Sequence, residues 1–144
     1  MLTTSLVLRW ISGLFDSVSV SAESWSEDDI EESLDSRDSP PFDSEWVEID
    51  REIETRKSDL EISTREEAEK SFDELRKRAY SMVIRKSGSS DLAAYVSDDF
   101  ELICWDLLMK KDSSFVFSLI NSYLSGNIPD NSMERSSTNP SGLW

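Results

Sequence analysis

The most apolar stretch of the chain runs from Asp98 to Met109, with the sequence DDFELICWDLLM. Apolar side chains fill most of its positions, so the helix that this stretch predicts has almost no polar face. A helix of that kind has to be covered on more than one side. We therefore expect this stretch to lie at the centre of a core.

The clearest amphipathic pattern lies between residues 64 and 86. Acids are concentrated at its start and bases at its end, which suits the helix dipole. Ser63 or Thr64 is the predicted N-cap, and Gly88 is the predicted turn that ends the helix. The apolar residues follow at steps of three and four and form one narrow stripe: Ala68, Phe72, Leu75, Ala79, Met82 and Val83.

Helical spacing continues through the rest of the back half of the chain. It runs across Ser97, so it predicts either one helix or two up to Lys111. A further helix is predicted from Phe115 to Leu124, and Pro129 prevents its continuation. Residues 127–144 are rich in Ser, Asn, Pro and Gly and are predicted to form a loose tail.

Residues 1–22 are apolar and rich in serine, and they predict a short amphipathic helix that docks on the core or on a partner. Two alternatives stay open. Ala22 could end a signal peptide, although no basic region precedes the apolar run and Arg9 interrupts it. The segment could also touch a membrane surface, with little electrostatic help from one arginine.

The charge of the chain is concentrated in one region. The formal net charge is −15, and residues 23–54 hold 14 acids against 2 bases. Because residues 23–43 combine this charge with serine and few aliphatic side chains, they are predicted to be a disordered linker. The charge argues against nucleic acid and anionic membranes as partners and favours basic or apolar ones.

The composition also limits catalytic chemistry. The chain has no histidine and a single cysteine, Cys104, so common general bases, metal sites and disulfides are not expected. We predict no catalytic, cofactor or metal site, and we keep a carboxylate enzyme with Mg²⁺ as a minor alternative. Four acids of the back half are predicted to be capping or solvent-facing: Asp98, Asp99, Glu101 and Asp106.

Trp46 and Ile49 stand three positions apart and follow several acids. In this respect they resemble the LIR-type linear motif of autophagy, which adds an extended strand to a ubiquitin-like partner. The same two residues also continue a helical stripe with Ile53 and Leu60, so packing of a helix is the favoured interpretation.

Residues 102–106 read LICWD and resemble the retinoblastoma-binding LxCxE motif, with Asp106 in place of the glutamate. That motif binds as an extended strand, whereas these residues lie in the most apolar helical run. Because cysteine is among the residue types most often buried, we favour a core position for Cys104.

The patterns together predict a mainly α protein. A small helical bundle spans about residues 64–125, joined by residues 45–60, within a domain of residues 44–126. A core of roughly sixty residues buries only about 60% of its unfolded surface. The back half therefore has more apolar surface than its own helices can cover, which is typical of an interaction protein.

We predict a non-enzymatic, acidic protein that binds another protein, or a second copy of itself, through an apolar helical surface. It would act as an adaptor or inhibitor, of the kind found among viral or eukaryotic accessory factors, in the cytoplasm or nucleus. The alternative is an acidic chaperone that shields a basic or aggregation-prone client. The predicted partner-binding residues are Trp46, Ile49, Phe100, Trp105, Phe115, Phe117 and Tyr123.

Overall fold

The computed structural model describes residues 2–138. This range contains six α-helices and a short 3-10 turn at Ala22–Ser24, and it has no strand. The prediction of a mainly α fold is confirmed. The helices are α1 Thr4–Ser21, α2 Glu27–Arg37, α3 Phe42–Lys57, α4 Ile62–Ser87, α5 Ser90–Met109 and α6 Ser114–Leu124.

Helix α5 lies at the centre of the fold, where it contacts α1, α3, α4 and α6. It is one continuous helix across Ser97, which is fully buried. Leu102, Ile103 and Leu108 of its most apolar stretch are 0 to 3% exposed. The four neighbouring helices supply the cover that an all-round apolar helix needs.

Helix α1 provides part of this cover. Its residues Val7, Ile11, Leu14 and Val18 recur at steps of three and four, and each is at most 1% exposed. The helix packs on α4, α5 and α6. None of the described helices is long and apolar enough to cross a membrane.

Residues 23–43 form the 3-10 turn, α2 and the start of α3, so the prediction of a disordered linker is wrong for this stretch. The Ser26 hydroxyl caps α2 by accepting a hydrogen bond from the Asp29 backbone N–H at 3.1 Å. Acids in the first turn suit the helix dipole. Ile30 and Arg37 are buried and Leu34 is half-buried, at positions i, i+7 and i+4 of one helix face. The acidic composition of this stretch gives no indication of the buried helix face.

The sequence predicted one end of helix α4 correctly and the other incorrectly. Helix α4 starts at Ile62, and its N-cap Glu61 makes no side-chain capping bond, so the predicted cap at Ser63 or Thr64 is wrong. Its end is as predicted, because Gly88 adopts the left-handed conformation with φ of 73°.

Part of the predicted tail folds back onto the helices. The Asn131 side chain donates to the backbone carbonyls of Ser36 and Ser39. The Arg135 guanidinium lies 2.7 Å from the Glu45 carboxylate. This C-terminal segment therefore contrasts with the loose tail predicted for residues 127–144, of which residues 139–144 lie outside the described range.

Candidate functional site

The aromatic residues predicted as partner anchors lie inside the core. Phe100, Trp105, Phe115, Phe117 and Tyr123 are 0 to 4% exposed. The rings of Phe100 and Tyr123 meet edge to face with centroids 5.9 Å apart. Because these side chains pack within the fold, they form no apolar surface patch. Their role in binding stays a prediction that their positions do not support.

Trp46 and Ile49 both lie on helix α3 and are half-buried. The Trp46 indole N–H donates to the Asp99 carboxylate at 2.9 Å. This is the helical packing that the stripe predicts, whereas a LIR-type motif would need an extended segment. Residues 102–106 are likewise helical, as part of α5, and Cys104 is fully buried.

Arg37 and Asp99 form an ion pair in the interior. The two guanidinium nitrogens of Arg37 lie 2.8 and 2.7 Å from the two Asp99 oxygens. Asp99 is 0% exposed, and so is Asp106 in the same helix, so the prediction that these two acids face solvent is wrong. Asp99 also accepts the Tyr123 hydroxyl at 2.5 Å. Burial and the nearby Asp99 carboxylate raise the pKa of Tyr123 well above its ordinary value.

The same arginine joins three parts of the fold. Its guanidinium lies 4.6 Å from the Phe42 ring centroid and 4.9 Å from that of Tyr95. It also donates to the Pro129 carbonyl at 3.2 Å. Arg37 therefore fixes the end of α2 against α5 and against the C-terminal segment. A groove lies between α2 and that segment.

This groove has a volume of about 620 Å³, which is within the range of protein ligand sites. Asp29 and Glu32 of α2 line one side, and Asp130 and Glu134 of the C-terminal segment line another. Trp25 also lines the groove, and none of the described lining residues is basic. We call this site the α2 groove.

Asp130 has an unusual environment for a carboxylate. It is only 8% exposed, although it lines the groove. Its Oδ1 atom accepts hydrogen bonds from the backbone N–H and the hydroxyl of Ser132. Its Oδ2 atom receives no hydrogen bond from residues 2–138. This oxygen is open to the groove, so it can accept a hydrogen bond from a donor outside the chain.

Helices α3 and α4 carry ion pairs along their surfaces, and α2 carries none on its surface among the described residues. On α3, Glu48 pairs with Arg51 at 2.8 Å, and on α4, Asp73 pairs with Arg76 at 3.2 Å. Within the described part of the chain, no ion pair involves an acid of α2. These uncompensated acids are Glu27, Asp28, Asp29, Glu31, Glu32 and Asp35.

A second acidic groove lies on the other flank of α2, with a volume of about 700 Å³. Glu31 and Asp35 of α2 line it together with Asp38 and Asp91. Helix α2 is therefore an acidic ridge between two acidic grooves. In residues 2–138, no three His, Cys, Asp or Glu side chains are close enough to hold a metal ion.

Sequence reasoning missed this site for two reasons. The acidic, serine-rich composition of α2 predicts a disordered linker, although Ser26 and the spacing of Ile30, Leu34 and Arg37 indicate a helix. Asp130 lies in the predicted tail, and no local signal in the sequence places it beside α2.

A family model described as immunity protein PIM1 matches residues 12–130. The match begins within α1 and covers all the later helices. It includes Asp29, Glu32 and Asp130 of the α2 groove. No curated protein matches the chain.

Proposed function

The chain belongs to the immunity protein PIM1 family, and on that premise we propose that it binds a toxin protein and inhibits it. The match to residues 12–130 is the observation that carries this proposal. The inhibitor acts by occupying the toxin, and it catalyses no reaction of its own.

The chemistry of the chain supports a binding role. The sequence has no histidine, and burial raises the pKa of the Cys104 thiol well above its ordinary value. A thiol that is buried and protonated is a poor nucleophile. Inhibition by occupancy needs only a stable complementary surface, which the tightly packed helices can provide.

The surface that recognises the toxin is acidic in this proposal. It replaces the apolar helical surface predicted from the sequence, because the aromatics of that prediction lie in the core. The same enclosure removes the main support for the chaperone alternative, which needs exposed apolar surface. The cytoplasmic or nuclear location stays a prediction.

Identification of the toxin tests the proposal. The full chain, immobilised on beads, is incubated with extract of its source cells, and retained proteins are crosslinked and identified. Each candidate is then expressed in a host with and without the chain. The expected result is one protein that stops growth alone and permits growth when the chain is present. The proposal fails if no retained protein is toxic, or if toxicity persists with the chain.

A further inference from the structure

Resting on the proposed function, we propose that the α2 groove is the docking site for a basic segment of the toxin. One arginine or lysine side chain of that segment sits against Asp130. The occupant is thus identified by its chemistry, as a cationic stretch of polypeptide.

One carboxylate oxygen of Asp130 is available to a ligand in the groove. The residue is only 8% exposed, and the part of it that stays open to the groove, Oδ2, receives no hydrogen bond from residues 2–138. Ser132 satisfies only Oδ1. A guanidinium or ammonium group in the groove would donate to Oδ2 and supply the missing charge.

The walls of the groove are negatively charged. Asp29, Glu32 and Glu134 add three carboxylates, and no basic residue of the described lining offsets them. Such a one-sided site raises the local concentration of cations and steers a basic partner towards it. Because the groove has a volume of about 620 Å³, it can hold several residues of a peptide segment.

Trp25 adds a contact suited to the same ligand. Its indole N–H donates to the Gly126 carbonyl at 2.8 Å, which holds the half-buried ring in the groove. A cation near the face of a tryptophan ring is attracted by the ring quadrupole. A ring that is already fixed loses little freedom when the ligand binds.

Two other occupants fit the groove less well. A metal ion needs several ligands at close range, and residues 2–138 contain no such group of acids. A second copy of this chain carries a net charge of −15, so two copies repel each other on approach.

The first experiment uses nona-arginine peptide as the probe and does not need the toxin. The full chain, labelled with ¹⁵N, is titrated with the peptide and followed by NMR. The five tryptophans give five indole signals, so the Trp25 signal reports on the groove separately from the others. We expect the largest shifts at Trp25, at the amides around Asp130 and along α2.

Variants make this experiment decisive. Asp130→Asn keeps the Ser132 contacts and removes the charge, so we expect affinity for the peptide to fall about tenfold. Glu32→Gln, on the exposed wall, is expected to weaken binding less. The matched control is Glu67→Gln on α4, which removes one exposed acid outside the groove and is expected to leave affinity unchanged. Thermal unfolding of each variant checks that the fold is kept.

The inference is overturned if the peptide shifts map elsewhere, or if Asp130→Asn and Glu32→Gln bind as tightly as Glu67→Gln. It is also overturned if sedimentation shows a dimer of the wild type that Asp130→Asn abolishes, because a second copy would then be the occupant.

A second experiment uses the purified toxin and separates the two proposals. If the wild type binds the toxin and Asp130→Asn weakens binding about tenfold, while Glu67→Gln does not, both proposals hold. If all three bind equally, the chain is an immunity protein with another docking surface. If the wild type binds no toxin, the proposed function fails even where the peptide occupies the groove.

Discussion

The guanidinium of Arg37 and the carboxylate of Asp99 form a two-point ion pair, with distances of 2.8 and 2.7 Å. The two residues lie 62 positions apart in the chain and are 3% and 0% exposed. Arg37 ends α2 and Asp99 lies in α5. This pair therefore holds the acidic ridge against the centre of the fold.

Replacement of Asp99 by alanine is expected to cost about 3–5 kcal/mol of unfolding free energy. The reason is that the Arg37 charge would stay buried without its counter-charge. Urea unfolding at neutral pH measures the loss. Glu48→Gln breaks an exposed pair with Arg51 and should cost less than about 1 kcal/mol. Equal effects of the two changes would show that the buried pair has no special role.

Tyr123→Phe removes a hydroxyl that donates to Asp99 at 2.5 Å in the core. Hydrogen bonds to a charged acceptor are worth about 1.5–3 kcal/mol, and we expect a loss in that range. The matched control is Tyr95→Phe, because the Tyr95 hydroxyl also donates to a carboxylate, that of Asp38, but at an exposed position. The control should lose less than about 1 kcal/mol. The account is contradicted if the control loses more than Tyr123→Phe in urea unfolding.

Asp106 is expected to make stability depend on pH. It is 0% exposed, and no described residue donates a hydrogen bond to its Oδ2 atom. Burial raises its pKa from 3.8 to about 6. The native state therefore binds more protons than the unfolded chain between these two values, so the contribution of Asp106 to stability falls as pH rises through this window.

Asp106→Asn tests this relationship because asparagine resembles the protonated acid. Relative to wild type, the variant should gain about 2 kcal/mol between about pH 4 and about pH 6, the window in which the native and unfolded states differ in proton binding. Urea unfolding of both proteins at each pH gives the difference. A stability difference that does not change with pH would contradict the raised pKa of Asp106.

Substitutions at Trp105 distinguish a role in the core from a role as a partner-binding residue. Trp105 is 2% exposed and meets Phe72 edge to face with centroids 5.1 Å apart. Trp105→Ala is expected to lower the unfolding free energy by about 3–5 kcal/mol, and Trp105→Phe by less. The affinity of folded Trp105→Phe for the toxin should equal that of wild type. A loss of affinity without a loss of stability would restore Trp105 as a partner anchor.

The sequence predicted those parts of the fold that local patterns determine. The stripe from Ala68 to Val83 predicted α4, Gly88 predicted its end, and the apolar density around Ile103 predicted the central helix. In each case the periodicity or the turn residue acts within a few positions, so no knowledge of distant neighbours was needed.

The candidate site depends on contacts between residues that lie far apart in the sequence, and local patterns do not predict such contacts. Asp99 is one of several acids in its stretch, and only its partner Arg37 in α2 makes it a buried ion. Asp130 gains its position from contacts of the C-terminal segment with α2. Helices α5 and α6 do carry more aromatic side chains than the two helices can cover by themselves. Phe15 of α1 and Phe42 of α3 pack on them, so the predicted exposed apolar surface is covered by the protein's own helices.

The central claim, inhibition of a toxin by occupancy, is tested most directly by titrating the activity of the purified toxin with the full chain. We expect activity to fall linearly and to vanish at one molecule of chain per molecule of toxin, with the chain recovered unchanged. Inhibition by a small fraction of one equivalent would indicate catalysis, and unchanged activity at several equivalents would remove the inhibitor role; either result would contradict the account.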